Sequence, residues 1–207
     1  NGPRDGGLIK GDAKALWLPR IGRVHCFENV TARVNGARVL NMTISRRAGR
    51  WYAALTVERD DQMVKKAPKG GAVGIDLGVK ALATLSDGTI VPNPHSLAVD
   101  EQRLKRAQQA LSRKTKGSKR RAKAKDRVAR IHARVANRRT DTLHKVTARL
   151  AQTYSDICIE DLNVAGMVKN HHLAKAVSDA SFSELRHQLE YKTAKTGARL
   201  HVIDRWY

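Results

Sequence analysis

Apolar positions alternate with polar ones through the first third of the chain and recur every three to four residues through its middle. The first pattern marks a strand with one buried face, the second a helix with one apolar stripe. Residues 23–27, 38–45 and 50–58 are short β-branched and aromatic runs, separated by the turn signals Asn35-Gly36 and Ala48-Gly49. Three strands without a helix predict a small, incomplete barrel over residues 1–66. Lys65-Lys66-Ala67-Pro68-Lys69-Gly70-Gly71 reads as a polar linker and places a domain boundary between residues 66 and 67.

From residue 72 the order of elements changes. Strands at 72–77, 80–86 and 89–91 are turned by Gly78-Val79 and Asp87-Gly88, and Pro92 and Pro94 stop the third. Residues 97–113 then take a helical period, which Thr115-Lys116-Gly117-Ser118 interrupts. A long helix follows to about residue 154, with Val128, Ile131, Val135, Thr142/Leu143, Val146 and Leu150 along one face. Residues 156–160 read as a buried strand. Ser178-Asp179-Ala180-Ser181 is expected to cap a helix running to about residue 195, with Phe182, Leu185, Leu189 and Tyr191 in the core. Gly197 ends it before a last strand at 198–203. The result is a meander at 72–92, basic helices at 97–154 and a β-α-β unit at 155–207. That order predicts an α/β domain of ribonuclease H-like arrangement over residues 67–207. Its first and fourth strands would lie side by side.

Charge narrows the partner. The 207 residues carry a net charge of +21, so a polyanion is expected. Residues 101–150 hold 18 Lys or Arg against 3 Asp or Glu, a net +15. A solvated helix face usually mixes signs, and self-repulsion this strong calls for phosphate. The expected contacts are Arg113, Lys114, Lys119, Arg120, Arg121, Arg127, Arg130, Arg134, Arg138, Arg139, His144 and Lys145, with Lys169 beyond them. His132 reads as a phosphate or core contact, and His171-His172 has no evident zinc partners. A membrane is not the expected partner, because the basic segment lacks the aromatic and leucine face of an interfacial helix. With no run of 18 apolar residues and no signal-peptide pattern, the expectation is a soluble, cytoplasmic protein. Cys26 and Cys158 read as small buried hydrophobes in a reducing compartment.

Two acids stand out against this charge. Asp76 lies in Ala72-Val73-Gly74-Ile75-Asp76-Leu77-Gly78-Val79, and Glu160 lies 84 residues later in Asp156-Ile157-Cys158-Ile159-Glu160-Asp161-Leu162-Asn163-Val164. A carboxylate ending an apolar strand is costly to desolvate unless it has a task. On neighbouring strands the two could share the metal ions of phosphodiester hydrolysis. They could equally be a turn residue before Gly78 and a capping or salt-bridged acid. Ile-Asp-Leu-Gly also opens the phosphate hairpin of actin-like ATPases and sugar kinases. The second glycine-rich loop those enzymes need is not evident here, nor have they a place for the basic helices.

Four motifs in order carry a family resemblance. They are Gly74-Ile75-Asp76-Leu77-Gly78-Val79; Ile131-His132-Ala133-Arg134-Val135-Ala136-Asn137-Arg138-Arg139 with Leu143-His144-Lys145; Ile159-Glu160-Asp161-Leu162-Asn163; and Asn170-His171-His172-Leu173-Ala174 before Ser178-Asp179-Ala180. Together they resemble TnpB, the OrfB-type proteins of bacterial insertion sequences, to which the compact type V CRISPR nucleases are similar. The resemblance implies an RNA-guided DNA endonuclease of the prokaryotic nucleoid, with a guide RNA and target DNA as partners. Guide pairing would choose the sequence while the protein reads backbone and duplex shape. Asp76 matches the first carboxylate of the RuvC-like site and Glu160 the second, with Mg²⁺ or Mn²⁺ between them. Residues 14–58 look like the later strands of the family's oligonucleotide-binding wedge barrel, with Arg50-Trp51-Tyr52 a shared element.

The family's recognition lobe and first barrel strand would precede residue 1. Its Cys-x-x-Cys knuckles, the expected Zn²⁺ site, and the third catalytic Asp would follow Tyr207. Asp204 ends the last strand and is not given that third role. The chain opens on Asn and closes directly after a strand with Asp204-Arg205-Trp206-Tyr207, so it is expected to be a fragment that does not cut DNA alone. The rival readings are a nuclease-inactive RNA-guided repressor and a non-catalytic RNA-binding protein. Retention of both acids counts against each.

Overall fold

In a computed structural model, residues 13–58 and 67–204 are described. Residues 65 and 66 of the expected linker and residues 205–207 of the closing segment lie outside them. The chain divides into two compact units, residues 1–63 and 64–207.

In the first unit, β1 (Ala15–Leu18) and β2 (Gly22–His25) form one antiparallel hairpin, and β3 (Arg38–Arg47) and β4 (Arg50–Glu58) form another. Helix α1 (Val30–Val34) lies between them in sequence. Leu16, Leu18, Val30 and Val34 make the core, flanked by Val24, Val39, Met42, Leu55 and Val57. The three-strand, helix-free expectation is corrected in two places. The apolar run at 15–18 pairs as a strand, and Asn29 caps a helix by accepting from the Ala32 N–H at 2.9 Å. Val30 and Val34, one helical turn apart, then share the buried face, and Asn35 ends the turn in the left-handed conformation. Among the described residues the pairing gives two separate two-stranded sheets rather than a continuous barrel.

The second unit is a mixed α/β layer structure. The meander β5 (Ala72–Leu77), β6 (Ala81–Leu85) and β7 (Ile90–Pro92) is followed by α2 (Ser96–Ser112) and α3 (Lys119–Thr153). Then come β8 (Asp156–Glu160), α4 (Val164–Lys169), α5 (Ala174–Ala180), α6 (Phe182–Thr196) and β9 (Arg199–Ile203). The five strands form one sheet in the order β7-β6-β5-β8-β9, with β5–β8 and β8–β9 parallel and the others antiparallel. Strand alternation sends Val73, Ile75, Ile157 and Ile159 to one face, where they meet Leu143 and Leu150 of α3 and Leu185 and Leu189 of α6. Burying each such side chain contributes about 1.5–3 kcal/mol.

Helix α3 has 35 residues, a length of about 50 Å. Its first half packs Val128 and Ile131 against Leu104 and Ala107 of α2, and its second half packs on the sheet. Ser118 caps its start, accepting from the Arg121 N–H at 3.1 Å. Its end is pinned where the Gly70 N–H donates to the Thr153 carbonyl at 3.1 Å; a Cβ at Gly70 would collide with that oxygen.

Three further expectations need correction. Ser178, Asp179 and Ala180 are the last residues of α5 and not a cap for α6. Ser181 stands before α6 with φ 55° and makes no side-chain cap; its hydroxyl donates to the Ser178 carbonyl at 3.1 Å. Tyr191 is half-buried, its hydroxyl 3.4 Å from His144 Nδ1, and does not join the core. Cys26 and Cys158 are unbridged and half-buried, each on a strand or at its end. No helix among the described residues is long and apolar enough to cross a membrane.

Candidate active site and nucleic-acid interface

Strand register brings the two acids together. β5 and β8 run parallel with Ile75 opposite Ile159 as their last pair. Asp76 and Glu160 are the next residue on each strand. Ile75 and Ile159 point into the core at 5% and 2% exposure, so the acids point to the opposite, uncovered face, where both are exposed. Thr84 of β6 pairs with Asp76, and Ile203 of β9 pairs with Glu160.

Glu160 also lines a cleft with Asn163, Ser183, Arg186, His187 and Glu190. Asp161, next in the chain, is fixed by two hydrogen bonds. Its N–H donates to the Ile203 carbonyl at 2.8 Å, and its carboxylate accepts from Arg186 at 2.5 Å. Arg186 reaches Glu190 as well at 3.1 Å. Glu190 and Asp161 together push the guanidinium's pKa up from its ordinary value. At the other end of β8, Arg199, His201 and Ser155 hold the Asp156 carboxyl well below the usual range.

A second site lies between α2 and α3. Arg103, Lys123, Arg127, Arg130 and Arg134 line one hollow beside Ile131. Arg103, Arg106, Arg127 and Arg138 line its continuation beside Asp100. Helix packing therefore gathers cations from both helices into one groove. Of these, Arg103, Arg106 and Lys123 did not stand out in the sequence. The i, i+3 spacing of Leu104 and Ala107 was the available signal, since Arg103 and Arg106 flank that buried stripe.

The remaining basic residues separate by partner. Arg113, Lys114, Lys119 and Arg120 are exposed at the α2–α3 turn, His144 and Lys145 on α3, and Lys169 at the end of α4. Lys145 pairs with Asp141 one turn away at 2.6 Å. Arg121 folds back to donate to the Leu111 and Lys114 carbonyls at 3.1 and 3.0 Å, closing the end of α2. Arg138 and Arg139 are spent inside the unit. Arg138 pairs with buried Asp100 at 3.2 Å and donates to the Ser96 carbonyl. Arg139 pairs with Asp179 at 2.9 Å, and the same carboxylate accepts from the Leu97 N–H at the start of α2. These two arginines dock the helical hairpin, a task that charge counting did not reveal.

Among the described residues, no three His, Cys, Asp or Glu side chains group as a metal-ligand set. The acid pair thus supplies two hard oxygen donors. Mg²⁺ is often held in this way, by one or two carboxylates with phosphate and water completing the shell.

Comparison with known proteins agrees with the motifs. A relative from Streptomyces pristinaespiralis named "Putative RNA-guided DNA endonuclease" is 47% identical over 173 residues, which is 83% of this chain and 42% of the relative. Relatives from Mycobacterium tuberculosis H37Rv and Escherichia coli K12, whose names begin with the same words, are 38% and 33% identical. Those matches cover 96% and 91% of this chain, and 47% and 50% of the relatives. The chain spans about half the length of the curated relatives it matches. Residues 53–171, which hold both acids and both basic helices, match the OrfB_IS605 family model, described as "Probable transposase". The chain belongs to the OrfB_IS605 transposase family.

Proposed function

We propose that the second unit is the ribonuclease H-like (RuvC) nuclease domain of a metal-dependent, RNA-guided DNA endonuclease. The observation that carries this reading is the placement of Asp76 and Glu160. They follow directly on the last paired residues of two central parallel strands and share the uncovered face of the sheet. The strand order, an antiparallel meander continued by two parallel strands, supports it.

Asp76 and Glu160 would hold Mg²⁺ or Mn²⁺, which supplies positive charge at the phosphodiester undergoing hydrolysis. The chain's own residues prepare the place. Arg186 pairs with both Asp161 and Glu190, so the carboxylates beside Glu160 are neutralised by one guanidinium. The α2–α3 groove would grip phosphates of guide RNA, target DNA or their hybrid, fixing position without reading sequence. Residues 13–58 would supply strands of the oligonucleotide-binding wedge. The relatives' names support guide RNA and DNA as partners.

The test is guide-dependent cleavage of matched and mismatched DNA in Mg²⁺. Asp76→Ala or Glu160→Ala in the guide-loaded protein abolishes cutting and leaves guided binding of the matched DNA nearly intact. Either variant cutting at the normal rate would remove the site from these residues.

A further inference from the structure

The β3–β4 hairpin carries a feature that neither the acid pair nor the α2–α3 groove uses. Its base joins the core of the first unit through Val39, Met42, Leu55 and Val57. Beyond that, every strand residue at 43–47 and 50–54 is exposed. Trp51 is 69% exposed and Tyr52 46%. Two aromatic rings left in water at the end of a long ladder forgo the burial that usually places them. Residues 39–57 include Arg46, Arg47 and Arg50 and no acid.

Register fixes how these groups face. Arg46 and Trp51 are cross-strand partners on one face, with the guanidinium 5.7 Å from the ring centroid. Tyr52 opposes Ser45 on the other face, two pairs before Arg47 opposite Arg50, with which it shares that face. Two like charges directly opposed across a ladder are unfavourable on their own. A phosphate between them turns that repulsion into attraction. The turn beyond is Ala48-Gly49, with φ 50° and 81°, so Arg47 and Arg50 form the last pair of the ladder, one pair beyond Trp51 at the rim of the tip.

We propose that this hairpin tip binds single-stranded nucleic acid, with an unpaired base stacked on Trp51 and the adjoining phosphate held between Arg47 and Arg50. Duplex is a poor occupant, because its bases already cover one another's faces. Stacking on an aromatic ring is sequence-tolerant, so the tip takes unpaired segments without choosing among bases. This inference rests on the wedge reading of residues 13–58 and names residues and ligand within it; cleavage by Asp76 and Glu160 variants tests the acid pair and leaves the tip untested.

The experiment uses the purified chain with an oligothymidylate of roughly ten nucleotides, within the usual single-strand site size, and a duplex of random sequence. Indole fluorescence is quenched as the oligothymidylate binds. Trp51→Phe retains most of the affinity yet loses that part of the quench. Trp51→Ala weakens single-strand binding by about 5- to 100-fold with an unchanged salt slope, while duplex affinity moves by less than about twofold. Arg47→Ala with Arg50→Ala lowers the single-strand salt slope by about 0.7 for each phosphate no longer held. Far-UV circular dichroism confirms that the variants remain folded. Single-strand binding unchanged in Trp51→Ala, or an equal loss on duplex, overturns the proposal. So does a shift in sedimentation showing that the tip joins two copies of the chain.

Discussion

Asp179 offers a direct measure of how firmly the basic hairpin is docked. It is 8% exposed and satisfies two elements at once. It accepts from the Leu97 N–H at 3.0 and 3.2 Å and from Arg139 Nη2 at 2.9 Å. Asp179→Ala strands the Arg139 charge and uncaps α2. Removing one partner of a buried pair costs about 3–5 kcal/mol. The Arg139 side chain keeps 27% exposure, so the lower end applies. A lost helix cap adds about 1 kcal/mol. Because one carboxylate serves both, the terms overlap, and the expected cost is about 3–4 kcal/mol. Asp179→Asn keeps an acceptor for Leu97 and loses the charge, at about 2 kcal/mol. In an Arg139→Met background no charge is left stranded, and Asp179→Ala costs only about 1 kcal/mol. Urea unfolding followed at 222 nm gives the free energies, and hydrogen exchange at the first amides of α2 localises the change. A cost below about 1 kcal/mol, or the same cost in both backgrounds, would refute the docking role.

Two further outcomes follow from partners and backbone. Arg127→Ala, Arg130→Ala and Arg134→Ala together weaken duplex binding across sequences and flatten its salt dependence by up to about 0.9 per phosphate released. Stability stays nearly unchanged, whereas Arg138→Ala and Arg139→Ala lower the unfolding midpoint before they affect binding. Ala48→Gly relieves a left-handed residue and stabilises the first unit by about 1 kcal/mol, read from its thermal midpoint; no gain would mean the turn is not strained.

Much of the second unit was legible in the chain. Its strands are apolar enough to be seen, and their order around the basic helices is enough to pair β5 with β8. The unread parts share a cause: a side chain's partner is set by folding, not by its neighbours in sequence. Ser178-Asp179-Ala180-Ser181 has the composition of an N-cap, yet Asp179 serves Leu97 and Arg139, 82 and 40 residues away. Arg138 and Arg139 looked like two more cations in a basic run until Asp100 and Asp179 folded against them. Helix α1 is not legible in the sequence because five residues with Val at both ends carry a strand-like composition, and only Asn29 signals the turn. The α2–α3 groove is only half legible. The charge was plain, but the members contributed by α2 depend on which face of that helix is buried.

The parallel pairing of β5 with β8 has a consequence for folding order. It joins residues 84 apart, and closing a loop of that length carries an entropic term of about 4 kcal/mol. The α2–α3 hairpin closes over the six residues 113–118, where the same rule gives about 1.6 kcal/mol. Once formed and docked, that hairpin replaces most of a floppy connection with a rigid span, so less disorder is lost when the strands meet. Anything that frays the hairpin raises the entropy that β5 and β8 must overcome to stay in register. A polyanion seated in the groove does the opposite. Occupancy of the basic helices and integrity of the acid pair are therefore linked through the chain itself, without the ligand ever touching a carboxylate.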